Sequence, residues 1–358
     1  MRIRLEPRAE LSQAMRFLTP PLAVIATIIA GGLLFAALGF DPEKSLRAFF
    51  ISPISSLYGW GELAVKATPL ILIAIGLAIG FRAGVWNIGA EGQLTTGAIL
   101  GGSIALLIWH QEGIWILPLM MLGGVLGGMA FAAIPAFLKA KFDVNEILVS
   151  LMLTYVATLL LSALVYGPLK DPAGFNFPES RLFNDSSTLP IILSGTRMHI
   201  GSLITLVVVL LAWFAMSRSL FGFQVRVVGA APKAAGFAGF SQKRMIWLSF
   251  LISGGLAGLA GLFEVAGPIG QLVPVISPGY GFTAIIVAFL GRLHPAGIVL
   301  AGLLVALSYL GGENAQIEAG MPQAVTGVFQ GMLLFFLLAS DVLVRYRIRF
   351  GSPVRAGA

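Results

Sequence analysis

Asn87, Glu91 and Gln93 are the residues of this chain best placed to do chemistry. They lie within residues 80–102, GFRAGVWNIGAEGQLTTGAILGG, on a backbone interrupted by Gly84, Gly89 and Gly92. Long apolar runs flank the stretch on both sides. A carboxylate at the centre of a bilayer costs roughly 2.5–3.5 kcal/mol on insertion scales. Glycine-broken backbone at that depth is tolerated only where protein or a watery cavity covers it. The stretch therefore reads as a polar wall or gate of a transport pathway. Glu91 equally suits the positive end of a helix that starts after an ordinary turn at the membrane surface. The spacing leaves both readings open, and they are compatible.

Other chemistry is thinly represented. The chain has no cysteine, which excludes disulfides, thiol catalysis and iron–sulfur ligation. His110, His199 and His294 are far apart, and no HExxH pattern or other ligand cluster suggests a metal. No GxxxxGK[ST] loop is present, so ATP is not hydrolysed here by that route. No nucleophile and base are paired. The expectation is a transport component, not an enzyme, with no cofactor. Acids within apolar segments are few: Glu91, Glu264 and, at an interface, Glu62. That scarcity argues against the alternative, an ion-coupled secondary transporter of small polar solutes.

The elements that must position these residues are membrane helices. The chain has 358 residues, 57% hydrophobic and 11% charged, against about 25% charged in soluble domains. About 20 apolar residues are needed to span. Candidate spans are 21–40, 63–81, 94–109, 115–138, 144–165, 200–217, 246–266, 282–291, 297–310 and 324–344. Those at 94–109, 282–291 and 297–310 are short, so tilted, broken or re-entrant segments are expected there. The uncharged run from Leu18 to Phe40 exceeds the 7–15 residues or so of a signal-peptide core and is read as a retained first helix.

The net charge of +7 is read as a topology signal and not as a nucleic-acid footprint. With ten spans and the N-terminus inside, 17 of the 23 Lys and Arg residues fall on the cytoplasmic side. Only Lys44, Arg47, Lys66, Lys170, Arg181 and Arg197 fall towards the other side. This matches the positive-inside rule and places both termini in the cytoplasm. The expected organisation is a single permease domain. It has a cytoplasmic N-terminal segment (1–20), a first helical half (21–165), an extracytoplasmic loop (166–199) that forms an ordered cap or docking surface, a second half (200–344) and a basic tail (345–358).

Within the second half, the inner loop 218–245 holds Val225-Arg-Val-Val-Gly-Ala-Ala-Pro-Lys-Ala-Ala-Gly-Phe-Ala-Gly-Phe. Gly229 allows a turn, Pro232 suits the first position of a helix, and Gly239 suits its end. Ala234, Ala235 and Ala238 give that helix little bulk, and its apolar surface asks for a protein partner. Gly97/Gly101, Gly123/Gly127, Gly124/Gly128 and Gly254/Gly258 are GxxxG pairs, read first as internal helix packing. Asp143 and Asn145 are candidate caps for the span at 144–165. A faint repeat relates the stretch from Gly89 before the third span to Gly279-Tyr280-Gly-Phe-Thr at the eighth. The offset of five spans would insert the two units with opposite orientation, and glycine-broken segments at corresponding positions of inverted repeats mark transporters. Gly279 and Tyr280 join Asn87, Gly89, Glu91, Gly92 and Gln93 as expected gate or pathway residues.

Together these stretches resemble the permease subunits of ABC importers in the branched-chain amino acid/ribose permease superfamily, and within it the simple-sugar/nucleoside permeases that work with basic-membrane-protein-type lipoproteins. The likeness rests on FRAGVWNIGAEGQ at 81–93, on Val144-Asn145-Glu146 with Leu151-Met152-Leu153, and on Arg226-Val-Val-Gly229-Ala-Ala-Pro232-Lys-Ala-Ala235-Gly-Phe-Ala-Gly239. It covers most of residues 60–345. Two positions depart from the pattern: Ala230-Ala231 stands where a Glu-Asn type pair is common, and Thr154 where asparagine is common. The resemblance implies an all-α polytopic protein of about ten membrane helices in two inverted repeats, in the plasma membrane. It implies a separate ATPase subunit docked on the segment from Arg226 to Gly239. A second, related permease and an extracytoplasmic lipoprotein or periplasmic binding protein would complete the importer. The solutes would be nucleosides or related simple sugars.

Overall fold

The computed structural model describes residues 2–7 and 13–351. Of the expected N-terminal segment, residues 1 and 8–12 lie outside the described residues, as do 352–358 of the basic tail. Every one of the ten apolar segments falls on a helix: α1 (Gln13–Ala37), α3 (Leu57–Arg82), α4 (Ala90–Leu107), α5 (Ile116–Phe142), α6 (Glu146–Tyr166), α7 (Ile200–Arg218), α10 (Gln242–Glu264), α11 (Tyr280–Leu290), α12 (Pro295–Ala319) and α13 (Gln323–Arg345). Three shorter helices were not expected as spans: α2 (Pro42–Phe50), α8 (Leu220–Ala230) and α9 (Pro232–Phe237). Among the described residues, six helical stretches are long and apolar enough to cross a membrane: α3, α5, α6, α7, α10 with its π-helical extension to Ile269, and α12. The chain is an all-α, multi-pass membrane protein.

One expectation changes. The segment at 297–310 belongs to a 25-residue helix, because Glu313, Gln316 and Glu318 continue the helical turns beyond the apolar run. In contrast, α11 has only 11 residues, about 16 Å, roughly half a bilayer.

The chain divides into two compact units, 57–306 and the pair of segments 1–56 and 307–358. In the smaller unit, Phe35, Phe49 and Phe329 form an aromatic core with centroids 4.3–6.0 Å apart. Strand β1 (Arg2–Pro7) pairs antiparallel with β2 (Tyr346–Gly351).

In the larger unit, α3 is buried almost throughout, as a helix apolar on every face must be. It packs on α10, which with α4 and α5 forms a three-helix contact built on glycine. A Cβ on Gly97 would come 2.2 Å from the Cα of Gly258, and one on Gly128 would come 2.0 Å from the Gly254 carbonyl oxygen. The GxxxG pairs thus serve internal packing, where small residues let backbones touch. α6 and α7 leave most of their length exposed.

Local caps fix the helix starts. The Asn145 side chain accepts from the amides of Ile147 and Leu148 and caps α6. Asp143 is instead the left-handed C-cap of α5, paired with Lys139 at 2.8 Å. The 166–199 segment is ordered over α10's far end: Ser180 N donates to Leu272 O (2.9 Å), Phe183 N to Gly270 O (2.8 Å) and Leu189 N to Ala266 O (2.8 Å). Its last turn is tied to α3 by a two-pronged ion pair of Arg197 with the buried Glu62.

Candidate functional site

The site begins where α3 stops. Gly84 takes φ +74° as a left-handed cap, and Val85 N reaches back to Gly80 O at 2.9 Å, the closing bond of a Schellman turn. The chain reverses and runs back alongside α3. Asn87 then meets Ser253, the midpoint residue of α10, at 2.9 Å. Ser253 is about 16 Å from the start of α10, and its neighbour Gly76 is about 9 Å from Arg82 along α3. The elbow before α4 therefore lies deep within the helical bundle, not at a surface turn.

There the polar residues satisfy one another. Asn87 Nδ2 donates to Gln93 Oε1 (2.8 Å), and Gln93 Nε2 donates back to Asn87 Oδ1 (3.0 Å). Asn87 Oδ1 also accepts from Gly89 N at 3.1 Å, and Ile88 N donates to Ser150 Oγ of α6 at 3.2 Å. Asn87 and Gln93 are 2% and 1% exposed, so unpaired amides there would cost about 1–3 kcal/mol each. The elbow fits only because of its glycines. A Cβ on Gly89 would lie 2.6 Å from Ser150 O, and one on Gly92 would lie 2.8 Å from the Thr154 Cα. Thr154 bonds back to Ser150 O and packs on α4.

Glu91 faces another way. Its carboxylate accepts from Gly281 N, in the first turn of α11, at 2.6 Å. The Ser277 side chain and the Gly279 amide lie close to it. Ser277 Oγ in turn accepts from Gly279 N (3.1 Å) and Tyr280 N (2.9 Å). Gly279 is left-handed (φ +99°), the conformation that opens α11 abruptly from an extended lead. A Cβ on Gly281 would stand 2.3 Å from Glu91 N. The N-termini of two short helices, α4 and α11, thus abut, with one buried carboxylate between their positive ends. Tyr280 is 1% exposed beside them.

All seven expected gate residues fall in this one cluster. Ser150, Ser253 and Ser277 were missed. Their only signal in the sequence is a small hydroxyl inside an apolar run, which a helix commonly satisfies with its own carbonyls.

The second group of expected residues falls on α8 and α9. Gly229 is inside α8 and not at a turn, because its Cα presses on Arg82: a Cβ there would lie 2.0 Å from Arg82 O. Pro232 opens α9, and Gly239 (φ +81°) follows its end. Ala234 faces out, but Ala235 is 1% exposed in a cluster with Val225, Val228 and Met245. The exposed apolar feature of α9 is Phe237, 95% exposed. Arg226 extends a guanidinium donor to Met216 O.

Comparison with known proteins adds the family. Residues 60–338 match the family described as branched-chain amino acid transport system / permease component. The chain is 37% identical over 356 residues to a glucose ABC transporter permease protein of Haloferax volcanii, covering 97% of this chain and 93% of that one. It is 32% identical over 350 residues to a guanosine ABC transporter permease protein of Bacillus subtilis, with 95% and 97% covered. A nucleoside ABC transporter permease protein of Lactococcus lactis is 25% identical over 340 residues, 93% of each chain. The chain belongs to this permease family and is a membrane permease subunit of an ABC importer.

Proposed function

We propose that this permease carries nucleosides or simple sugars, handed over by an extracytoplasmic binding protein, through a pathway gated at the α4–α11 junction. A separate ATPase supplies the energy and a second permease completes the pore. The observation that bears most weight is the meeting of two glycine-capped helix N-termini on Glu91. Half-helix ends facing each other deep in a bundle are where transporters with inverted repeats bind and gate their solutes. In this reading α4 and α11 are corresponding members of two repeats, ten helices cross the plasma membrane, and both termini lie in the cytoplasm. Glu91, Ser277 and Gly281 hold the gate shut; Asn87, Gly89, Gly92 and Gln93 brace it; Gly279 and Tyr280 move with α11.

Energy enters through α8 and α9. The contact of Gly229 with Arg82 joins that segment to the end of α3, where the elbow begins. Docking on the exposed face of α9, at Ala234 and Phe237, gives the ATPase a handle on the elbow. The names of the relatives in Haloferax, Bacillus and Lactococcus support a sugar or nucleoside as the solute.

The test is reconstitution in proteoliposomes with an ATPase subunit, a second permease and a binding protein of the same importer. Labelled guanosine, adenosine, ribose and glucose are offered with and without ATP. ATP-dependent accumulation of one of these, and none by the lone chain, is the expected result. Gradient-driven accumulation by the chain alone would overturn the reading in favour of a secondary transporter.

A further inference from the structure

We propose that Trp86 and Phe289 form a stacking platform for the base of a nucleoside on its way through the permease. This rests on the gate reading above and narrows its solute to a base-bearing molecule. Three rings meet where the elbow passes the end of α11. Phe81 and Phe289 stack with centroids 4.9 Å and planes 20° apart, and Trp86 and Phe289 stack at 5.7 Å and 25°. Phe81 closes the triangle, 5.0 Å from Trp86. It is buried, whereas Trp86 and Phe289 remain 41% and 37% exposed. The backbone of Trp86 lies outside any helix. One residue on, Asn87 bonds to Ser253 at the midpoint of α10. Non-helical backbone at that depth does not face lipid; protein or a watery cavity covers it. The open side of these rings therefore continues the surface of the gate.

The polar side chains of the elbow decide between a base and a sugar. A sugar taken out of water needs partners for its hydroxyls, and an unpaired one is costly. Asn87 and Gln93 already bond to each other, and Asn87 also bonds to Ser253 and Gly89. Glu91 is engaged by Gly281. What the elbow leaves open is aromatic surface. A base needs no more than that, because every base has a flat face that stacks on an aromatic side chain. The platform also bridges the two elements of the gate. Trp86 belongs to the elbow before α4, and Phe289 lies about 12 Å along α11 from Gly281. A base stacked on both rings therefore touches both elements that the Glu91–Gly281 bond joins.

The test uses the full chain assembled in nanodiscs with a second permease and an ATPase subunit, without the binding protein, so that capture by the membrane part alone is read. Indole fluorescence of wild type and Trp86→Phe is compared during titration with adenosine, guanosine, ribose and glucose. Trp86 is one of six tryptophans, and the difference between the two proteins isolates it. The nucleosides should quench that difference signal, and ribose and glucose should leave it unchanged. With the binding protein restored in proteoliposomes, Trp86→Ala and Phe289→Ala should slow nucleoside uptake at least about fivefold, and Trp86→Phe should stay within about twofold of wild type. Trp86→Phe keeps a ring in place, so the fluorescence comparison stands even if the alanine variants fail to fold. Equal quenching in wild type and Trp86→Phe would overturn the platform. The chain has no cysteine, so Trp86→Cys gives it a single thiol, which should react with a water-soluble maleimide in the assembled complex. No reaction there would mean that the second permease or lipid covers the rings, and would overturn the proposal. ATP-driven uptake of ribose or glucose without any nucleoside would overturn the base and leave the importer reading standing, whereas that reading fails on accumulation by the lone chain.

Discussion

Glu91 Oε2 accepts a hydrogen bond from Gly281 N at 2.6 Å, although 190 positions separate the two in the chain. The bond joins the first turn of one short helix to the first turn of another. The carboxylate comes from the first turn of α4 and adds an acceptor at the start of α11, whose N-cap residue, Gly279, has no side chain of its own. A buried carboxyl is tolerated here because a backbone donor and the N-terminal ends of two helices meet it.

Removing that carboxylate tests the latch. Glu91→Ala leaves Gly281 N without its acceptor in a buried place, which costs about 1–3 kcal/mol. The unfolding midpoint should fall by several degrees. Glu91→Gln retains an acceptor and should fall less. If Glu91 latches the gate as proposed, both variants should raise ATPase activity not coupled to uptake in the reconstituted importer. Variants with full stability and normal coupling would remove Glu91 from the gate.

The glycine contacts give a sharper contrast. A Cβ on Gly258 would stand 2.2 Å from Gly124 O and 2.9 Å from the Gly128 Cα, all backbone that cannot yield. Gly258→Ala should therefore abolish monodisperse protein in size-exclusion chromatography. Gly236→Ala meets nothing within 4 Å. It should leave yield and unfolding unchanged within about 0.5 kcal/mol, as surface substitutions usually do.

The proposed docking of the ATPase is separable from folding on α9. Ala235 is enclosed, so a charge there breaks the core and says nothing about docking. Phe237, almost fully exposed, has no packing to lose. Phe237→Ala and Ala234→Glu should preserve the unfolding midpoint and reduce ATP-driven uptake at least fivefold, with weaker co-purification of the ATPase. Unchanged uptake in both would move the docking face elsewhere.

Acid should weaken the start of α7 through His199. Burial pushes this imidazole down to about 4, from the ordinary 6.5. Its Nδ1 accepts from Gly201 N and caps α7, which only an unprotonated nitrogen can do. With the folded value below the unfolded one, the unfolded chain binds the extra proton between pH 6.5 and 4. Stability is therefore full above about 6.5 and declines as pH falls towards 4. Unfolding midpoints across that window should show this slope, and His199→Asn, which caps without titrating, should flatten it.

The helices were legible because apolar runs have few alternatives in a membrane, and the polar cluster at 87–93 was legible because it is so costly there. What remained hidden is where that cluster sits in depth. The same letters describe an exposed turn or an elbow enclosed by helices, and only the long-range bonds of Asn87 to Ser253 and of Glu91 to Gly281 show that it is enclosed. Gly229 illustrates the same limit. A glycine three residues before a proline suggests a turn, yet tertiary contact with Arg82 keeps it helical. Ala235, expected on the exposed apolar surface, is buried, since a six-residue helix has too few turns to reveal its buried face by periodicity.

The Glu62–Arg197 pair offers a last test, of how the 166–199 segment is held. Glu62 is 3% exposed on α3, and Arg197 grips both of its oxygens from just before α7. Arg197 is itself half-exposed, so its partner bears most of the desolvation. Loss of the arginine leaves a buried, unpaired carboxylate, the costlier half of the exchange. Arg197→Met should thus destabilise more than Glu62→Gln, which leaves a partly solvated guanidinium with somewhere to go. Joining the two changes should recover part of the loss, giving a coupling of about 1–3 kcal/mol in a double-mutant cycle. Additive effects in that cycle would mean that the pair is incidental and that the backbone bonds from Ser180, Phe183 and Leu189 hold the segment by themselves.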